Sequence, residues 1–203
     1  MAQIRIKICG ITSVEDALMA AELGADAIGL VFAPSKRKIT PQKAREIVKS
    51  LPPFISIVGV FADAPLKEVL EIVEFVPLDA VQLHGDEPPH YCTAIPRKII
   101  KRINPLKKNL EERIRLFQGV SAFLFDPGKG DGLTFDWDKI GHLNCRKIIA
   151  GGLNPENVAK AILRSKPYGV DVSSGVEIHP GKKNPEKLKK FIEAVRKAQE
   201  ELK

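Results

Sequence analysis

Short apolar segments typical of β-strands alternate with amphipathic segments typical of helices along the whole of this 203-residue sequence. Strands separated by helices pair in parallel, because each helix returns the chain to the start of the next strand. Eight such units predict closure into one (β/α)8 TIM barrel, a single domain over residues 1–203, with a doubly wound open sheet as the alternative. The strands are predicted at residues 5–9, 25–32, 55–61, 79–83, 97–101, 122–125, 147–150 and 169–172.

Helix-capping signals support this division of the chain. Thr12 followed by Glu15 forms a capping box, which predicts a helix from about residue 13 to residue 23. Three further helix starts, each an Asn or Thr followed by Pro, are predicted at Thr40-Pro41, Asn154-Pro155 and Asn184-Pro185. The other helices are predicted at residues 65–76 and 106–118, just after Gly85 and around residues 135–137.

The cysteines and the hydropathy pattern exclude several classes of protein. Cys9, Cys92 and Cys145 are an odd number without metal-ligand spacing, so neither a disulfide framework nor a metal site is predicted. No apolar run approaches the length of a membrane span, and the N-terminus begins as a strand rather than as a signal peptide. These features predict a cytoplasmic protein that does not bind a membrane.

The net charge of +7 points to an anionic partner. The Lys and Arg residues are interspersed with Glu along the predicted helices, however, and aromatic residues make up only 6% of the chain. A surface for single-stranded nucleic acid needs aromatic side chains among the basic ones, because the bases stack on them. We therefore predict no nucleic-acid partner and expect a small anionic substrate.

Two segments near the C-terminus have the sequence of phosphate-binding turns. IIAGGLNP at residues 148–155 and VDVSSGV at residues 170–176 each lead from a predicted strand into Gly or Ser. Such turns leave backbone N–H groups uncovered at the carboxyl end of a strand, where they can bind an anion. One turn of this kind is ordinary, but two on the last strands of a barrel favour a phosphate site in the strand 7 and strand 8 loops.

Strand periodicity places several polar side chains inside the predicted barrel. The isoleucines at positions 4, 6 and 8 share the face toward the helices, so Arg5, Lys7 and Cys9 point into the lumen. Asp171 points inward from the last strand, and Asp126 lies at the carboxyl end of the sixth. Polar side chains inside a barrel are expected near its catalytic mouth. Cys9 and Asp126 are therefore the candidates for a base and an acid that act on a substrate from two sides.

Each candidate also has a purely structural explanation. A buried Cys is more often a small hydrophobic side chain, which is how we interpret the other two cysteines, and Asp126 before a Pro-Gly pair suits a turn. Lys7 and the nearby helix N-terminus favour the thiolate form of Cys9 over the thiol. Arg37, in a basic loop, is equally consistent with a solvated surface residue and with a clamp for a carboxylate.

Six segments together resemble a known family. They are KICGIT at 7–12, APSKR at 33–37, VQLHG at 81–85, FDW at 135–137, AGGL at 150–153 and DVSSGVE at 171–177. Each segment is a weak signal alone, but six in order at barrel spacing across nearly the whole chain resemble the phosphoribosylanthranilate isomerases.

The resemblance implies a cofactor-free Amadori rearrangement in tryptophan biosynthesis, which converts N-(5′-phosphoribosyl)anthranilate into 1-(2-carboxyphenylamino)-1-deoxyribulose 5-phosphate. By position, Cys9 matches the family's general base, Asp126 its general acid, and Arg37 the residue that holds the anthranilate carboxylate. Asp171 would assist with charge on the anthranilate nitrogen. The residues that fall in the family's phosphate cradle are Gly151, Gly152, Ser174 and Gly175. Monomer and homodimer are both compatible with the sequence.

Two positions depart from the family pattern, and one other reading of the chain stays open. The stretch at residues 128–134 is shorter than the family's Gly-rich loop, and Asn184 replaces an Asp, although Asn is an equally good N-cap. The alternative is another phosphate-binding barrel enzyme that acts on a sugar phosphate, such as an epimerase or an aldolase. His84 lacks a second His at a matching strand end, and Lys7 lies below the mouth, which disfavours both.

Overall fold

The computed structural model describes residues 3–128 and 132–202, and in it eight parallel strands form a closed barrel. The strands are β1 (Arg5–Cys9), β2 (Ala27–Val31), β3 (Ser56–Phe61), β4 (Ala80–Leu83), β5 (Lys98–Ile103), β6 (Ala122–Phe125), β7 (Lys147–Ile149) and β8 (Gly169–Val172). Strand β8 closes the ring against β1, with Lys7 opposite Asp171. The predicted barrel is confirmed, and the open-sheet alternative is wrong.

Helices cover the outside of the barrel. They are α1 (Val14–Glu22), α2 (Pro41–Ser50), α3 (Leu66–Phe75), α4 (Pro89–Thr93), α5 (Leu110–Leu116), α6 (Val158–Ser165) and α7 (Pro185–Glu201). A short 3-10 helix, Trp137–Ile140, stands between β6 and β7. A second 3-10 helix, Ser174–Val176, follows β8 and leads into a small hairpin of β9 (Glu177–His179) and β10 (Lys182–Lys183).

Two of the predicted helix caps are confirmed and two are wrong. Thr40 and Asn184 accept backbone N–H groups from the first turns of α2 and α7. Ser13 rather than Thr12 caps α1, since the Ser13 side chain accepts the Asp16 N–H, while the Thr12 hydroxyl donates to the carbonyl of the distant residue Gly181, at 2.6 Å. The Asn154 side chain accepts N–H groups of an intervening turn, so α6 begins only at Val158.

The segment around β5 also differs from the prediction. The strand extends to Ile103, and α5 is shorter than the predicted helix at residues 106–118. Asn109 takes the left-handed conformation, with φ of 59°, and a helix cannot pass through such a residue. Leu106 is instead part of a turn in which its N–H donates to the Asn104 side chain.

The apolar core has two layers, one between the strands and the helices and one inside the barrel. Ile6 and Ile8 on β1 are fully buried on the outer face of the barrel, against the helices. A smaller apolar cluster fills the lumen: Val58, Ala80, Ile100, Ala122, Leu124, Ile148 and Ala150. Cys9 and Asp126 lie beyond this cluster, at the carboxyl ends of β1 and β6. Across the described residues, no helix is long and apolar enough to cross a membrane.

Candidate active site

A pocket opens at the carboxyl ends of the strands and brings most of the predicted site residues together. Cys9 lines it from β1, Asp126 from the end of β6, and Asp171 from β8. The other predicted residues in its wall are Arg37, Gly151, Gly152 and Ser174. Gly175 is not part of this wall but packs against the backbone of Leu153, which is. Residues 129–131, which belong to the shortened loop discussed above, lie outside the described residues.

Cys9 shares its part of the pocket with a buried ion pair. The Lys7 ammonium lies 2.9 Å from an Asp171 carboxylate oxygen, and both side chains are less than 10% exposed. Gly29 on β2 leaves room for them, because a Cβ there would lie 2.7 Å from the Cys9 sulfur and 3.1 Å from Lys7 Nζ. The sequence rule that pointed Lys7, Cys9 and Asp171 inward is therefore confirmed.

The electrostatics of Cys9 correct one expectation. Burial raises the pKa of the Cys9 thiol above its usual value, the charge of Lys7 lowers it, and Asp171 raises it again. Lys7 therefore acts in the predicted direction, but burial and Asp171 outweigh it, so the pKa of the Cys9 thiol is raised overall. Burial also raises the pKa of Asp171, whereas the pKa of Lys7 is raised by Asp171 and Cys9 despite its burial.

Arg37 is held by a carboxylate that sequence reasoning did not assign. Its guanidinium makes a bidentate contact with Glu177, with Nε to Oε1 at 2.9 Å and Nη2 to Oε2 at 2.7 Å. The fully buried Lys183 donates to the same carboxylate at 2.8 Å and to the Cys9 carbonyl at 2.6 Å. Burial raises the pKa of Glu177, but the hydrogen bond from Arg37 and the charge of Lys183 lower it by more, so this pKa is below its usual value. Arg37 is thus a fixed part of the site rather than a solvated loop residue.

Asp126 is buried and held within a tight turn. One of its carboxylate oxygens, Oδ1, accepts the Gly128 N–H at 2.9 Å, and Oδ2 lies 3.7 Å from Nε2 of His84. Burial, with the nearby charge of Arg102, lowers the pKa of His84 to about 3, so this imidazole is neutral near pH 7. The Gln82 amide lies 3.1 Å from Nδ1 of His84.

The two Gly and Ser turns come together as a pair of uncovered backbone segments. Among the described residues, no acceptor takes the N–H groups of Gly151, Gly152, Ser174 or Gly175. Gly151 and Gly152 both have positive φ, at 83° and 59°. An added Cβ on Gly175 would overlap the Leu153 carbonyl, so this glycine allows the two loops to touch. Four N–H groups that have no acceptor in the described part of the chain are the donor set that a phosphate requires.

The sequence missed three residues that hold this site. Glu177 and Lys183 lie in the small hairpin after β8 and fix Arg37, and Arg102 on β5 contacts the backbone after Asp126. One sequence signal was that Glu177 ends one of the six family-like segments. A Lys or Glu in a loop is most often solvated, and nothing in the local sequence distinguishes a buried partner.

The fold and the pocket together define the class of protein. A closed eight-stranded parallel barrel with its pocket at the carboxyl ends of the strands is a (β/α)8-barrel enzyme. The pocket holds a thiol, a carboxyl group, a fixed guanidinium and a set of uncovered N–H groups, which suit acid–base chemistry on a phosphorylated anion.

Comparison with known proteins then identifies the family. The model of the N-(5′-phosphoribosyl)anthranilate isomerase family matches residues 6–194. The N-(5′-phosphoribosyl)anthranilate isomerase of Moorella thermoacetica is 47% identical over 97% of this chain and 92% of its own length. The chain therefore belongs to the N-(5′-phosphoribosyl)anthranilate isomerase family.

Solved structures of this family share the fold. A phosphoribosyl anthranilate isomerase in complex with reduced 1-(o-carboxyphenylamino)-1-deoxyribulose 5-phosphate is 42% identical, with a TM-score of 0.87 over 96% of this chain and 100% of its own. The dimeric isomerase from Thermotoga maritima, solved as generated monomers, is 41% identical, with a TM-score of 0.85 over the same shares of the two chains.

Proposed function

We propose that Cys9 is the general base and Asp126 the general acid of the reaction that defines this family. The chain is an isomerase of tryptophan biosynthesis that converts N-(5′-phosphoribosyl)anthranilate into 1-(2-carboxyphenylamino)-1-deoxyribulose 5-phosphate. The observation that carries the two roles is that a thiol on β1 and a carboxyl group after β6 line one pocket with the uncovered N–H groups.

The first step opens the ribose ring. Asp126 donates its proton to the ring oxygen as the bond between that oxygen and C1′ breaks, and the anilino nitrogen supplies the electron pair of the resulting C=N bond. The carboxyl group must carry its proton when the substrate is bound. The Gly128 N–H on Oδ1 holds the carboxyl group in one orientation. General acid help of this kind contributes about 10²- to 10⁴-fold.

The second step moves a proton from carbon. The Cys9 thiolate removes the proton from C2′, the electrons of that C–H bond form a C1′=C2′ double bond, and the nitrogen regains its electron pair. The resulting enolamine tautomerises to the ketone. Lys7 and Lys183 supply the positive charge that lowers the pKa of Cys9 against the effect of burial. A base close to the substrate in a dry pocket needs this charge to reach its thiolate form.

The remaining residues hold the two ends of the substrate. The phosphate is bound by the N–H groups of Gly151, Gly152, Ser174 and Gly175. Glu177 accepts from Nε and from one N–H of Nη2 of Arg37, so among the described residues both N–H groups of Nη1 and the second N–H of Nη2 are left for the anthranilate carboxylate. Asp171, already paired with Lys7, faces the pocket and offsets positive charge that develops on the anthranilate nitrogen.

A fluorescence assay with freshly made phosphoribosylanthranilate tests the activity and the two roles together. The wild-type protein is expected to consume the fluorescent substrate without added metal or coenzyme. The Asp126→Asn and Cys9→Ala variants should bind the product analogue but turn over poorly. An active wild-type protein whose variants both keep full turnover would contradict the assignment of acid and base.

We also propose a cytoplasmic homodimer in which the chain is one domain. Phe54 is 94% exposed in the loop before β3, at the amino end of the barrel, and Tyr168 at the same end is 43% exposed. Exposed aromatic side chains around one depression are typical of a surface that pairs with a second copy. Light scattering of the wild-type protein should give twice the mass of one chain, and the Phe54→Asp variant should give the mass of a single chain. A wild-type monomer at micromolar concentration would contradict this proposal.

A further inference from the structure

We propose that Arg102 is a positioning residue for the general acid, an inference that rests on the proposed function of Asp126. Arg102 lies on β5, beside β6 in the barrel, and its guanidinium donates to three successive carbonyl groups. Nε donates to the carbonyl of Asp126 at 3.1 Å, and Nη2 donates to those of Pro127 and Gly128 at 3.3 and 3.0 Å.

These three hydrogen bonds hold the turn that orients the carboxyl group of the acid. Asp126, Pro127 and Gly128 are all buried, so their polar backbone groups need partners within the protein. The N–H of Gly128 donates to Oδ1 of Asp126, while the carbonyl of the same residue accepts from Arg102. The guanidinium therefore fixes the peptide groups that in turn fix the carboxyl group.

Arg102 approaches Asp126 from the neighbouring strand without lining the catalytic pocket. It is absent from the wall of the catalytic pocket and lines a separate small cavity between β4, β5 and α5, together with Lys101 and Arg113. The charge of Arg102 nevertheless acts on the site. It lowers the pKa of His84, and only burial has a larger effect on that pKa. Arg102 is thus close to the acid without being placed to touch the substrate.

The planar fork of the side chain suits this task. A guanidinium presents several N–H donors in fixed directions, whereas a Lys ammonium is a single point on a flexible stem. Loss of the fork would leave three buried carbonyls to shift toward other donors, and the carboxyl group of Asp126 would move with them. A displacement of about 1 Å in a catalytic group can lower the rate by about 10²-fold.

The test uses Arg102→Met, which keeps the length of the stem, with Arg102→Lys as the conservative variant. We expect Arg102→Met to lower kcat by roughly 10- to 100-fold, with KM changed by less than about twofold. Arg102→Lys should recover part of the loss in kcat. The matched control is Arg97→Met, because Arg97 donates to the carbonyls of Leu78 and Pro96 at the opposite end of the barrel. This control should keep the wild-type kcat.

A double-variant cycle separates positioning from general stability. In the Asp126→Asn background, measured at high enzyme concentration, Arg102→Met should cause no further loss of kcat, because the group that it positions no longer transfers a proton. An equal further loss in that background, or a wild-type kcat in Arg102→Met, would overturn the role. If Arg102→Met does not fold, the same cycle with Arg102→Lys decides. High activity of Asp126→Asn alone would instead overturn the proposed acid.

Discussion

Two ion pairs on the same face of β1, one at the amino end of the barrel and one further along the strand, differ in their exposure to solvent. At the amino end of β1, Arg5 pairs with Asp26 at 2.7 Å, and the Arg5 side chain is 51% exposed. Two residues further along the same face, Lys7 pairs with Asp171 at 2.9 Å, and the Lys7 side chain is 6% exposed. The distances are nearly equal, so the difference between the pairs lies in the surrounding solvent.

This difference in solvent decides what each pair can do. An exposed ion pair contributes about 0–1 kcal/mol to stability, because water screens both charges. In a dry site the same charges act strongly on neighbouring groups, and Lys7 and Asp171 shift the pKa of Cys9 in opposite directions. The carboxyl end of the barrel therefore carries chemistry, whereas the pair at the amino end is ordinary surface.

The largest difference between the two ends should be in turnover, when a carboxyl group at each end is replaced by an amide. Asp126→Asn keeps the size and turn propensity of the side chain but removes its transferable proton, so turnover should fall by several orders of magnitude with little change in Tm. Asp79→Asn is the control, because Asp79 accepts the Ile57 N–H at the amino end. It should keep wild-type turnover. A poorly folded but active Asp126→Asn protein would make this residue structural.

The ion pairs should differ next in their contribution to folding. Lys7→Met leaves the buried carboxylate of Asp171 without its partner, which should lower the free energy of unfolding by about 3–5 kcal/mol. Arg5→Met should lower it by less than about 1 kcal/mol. Urea denaturation of both variants measures the contrast, and equal losses would show that burial does not separate the two ends.

Cysteines at the two ends should differ in turnover. Cys9→Ala should lower kcat by at least ~10²-fold while the product analogue still binds, since a base acts mainly in the transition state. Cys145, just before β7, provides the control, and Cys145→Ala should turn over like the wild type. Near-full activity of Cys9→Ala would require another base.

Arginines at the two ends should differ in binding. Arg37→Ala should weaken substrate binding by about 1.5–3 kcal/mol, seen as a higher KM, because it removes a charge-assisted contact. Arg146→Ala, which loses a bond to the Ser121 carbonyl and a contact with the Tyr168 ring at the amino end, should keep its KM. An unchanged KM with a lower kcat for Arg37→Ala would point to a different role.

The smallest effect is a shift of the pH profile. Activity that needs the thiolate rises with pH through the pKa of Cys9, which Asp171 raises and Lys7 lowers. Asp171→Asn should therefore move the acidic limb of kcat/KM to lower pH, and Lys7→Met should move it to higher pH. His84, with its pKa at about 3, should add no limb between pH 5 and 8. Shifts of the same sign in both variants would exclude Cys9 as the titrating base.

Local patterns predicted much of this molecule because they depend on neighbouring residues. Alternation along β1 pointed Lys7 and Cys9 inward, since a strand has only two faces. Thr40 and Asn184 cap their helices because the N–H groups that they accept lie within the next three residues. The six family-like segments likewise identified the family that the comparisons then showed.

Contacts between distant parts of the chain decided the rest. Thr12 is a good N-cap in sequence, but Gly181, 169 residues away, takes its hydroxyl. Glu177 meets Arg37 across 140 residues, and Arg102 meets Gly128 across two adjacent strands. The sequence by itself determined the barrel, its inward faces and its candidate acid and base, because these follow from local periodicity and motif. Only the tertiary structure decided which charged side chains are buried and which residues pair with them, because burial depends on what the whole chain packs around each group.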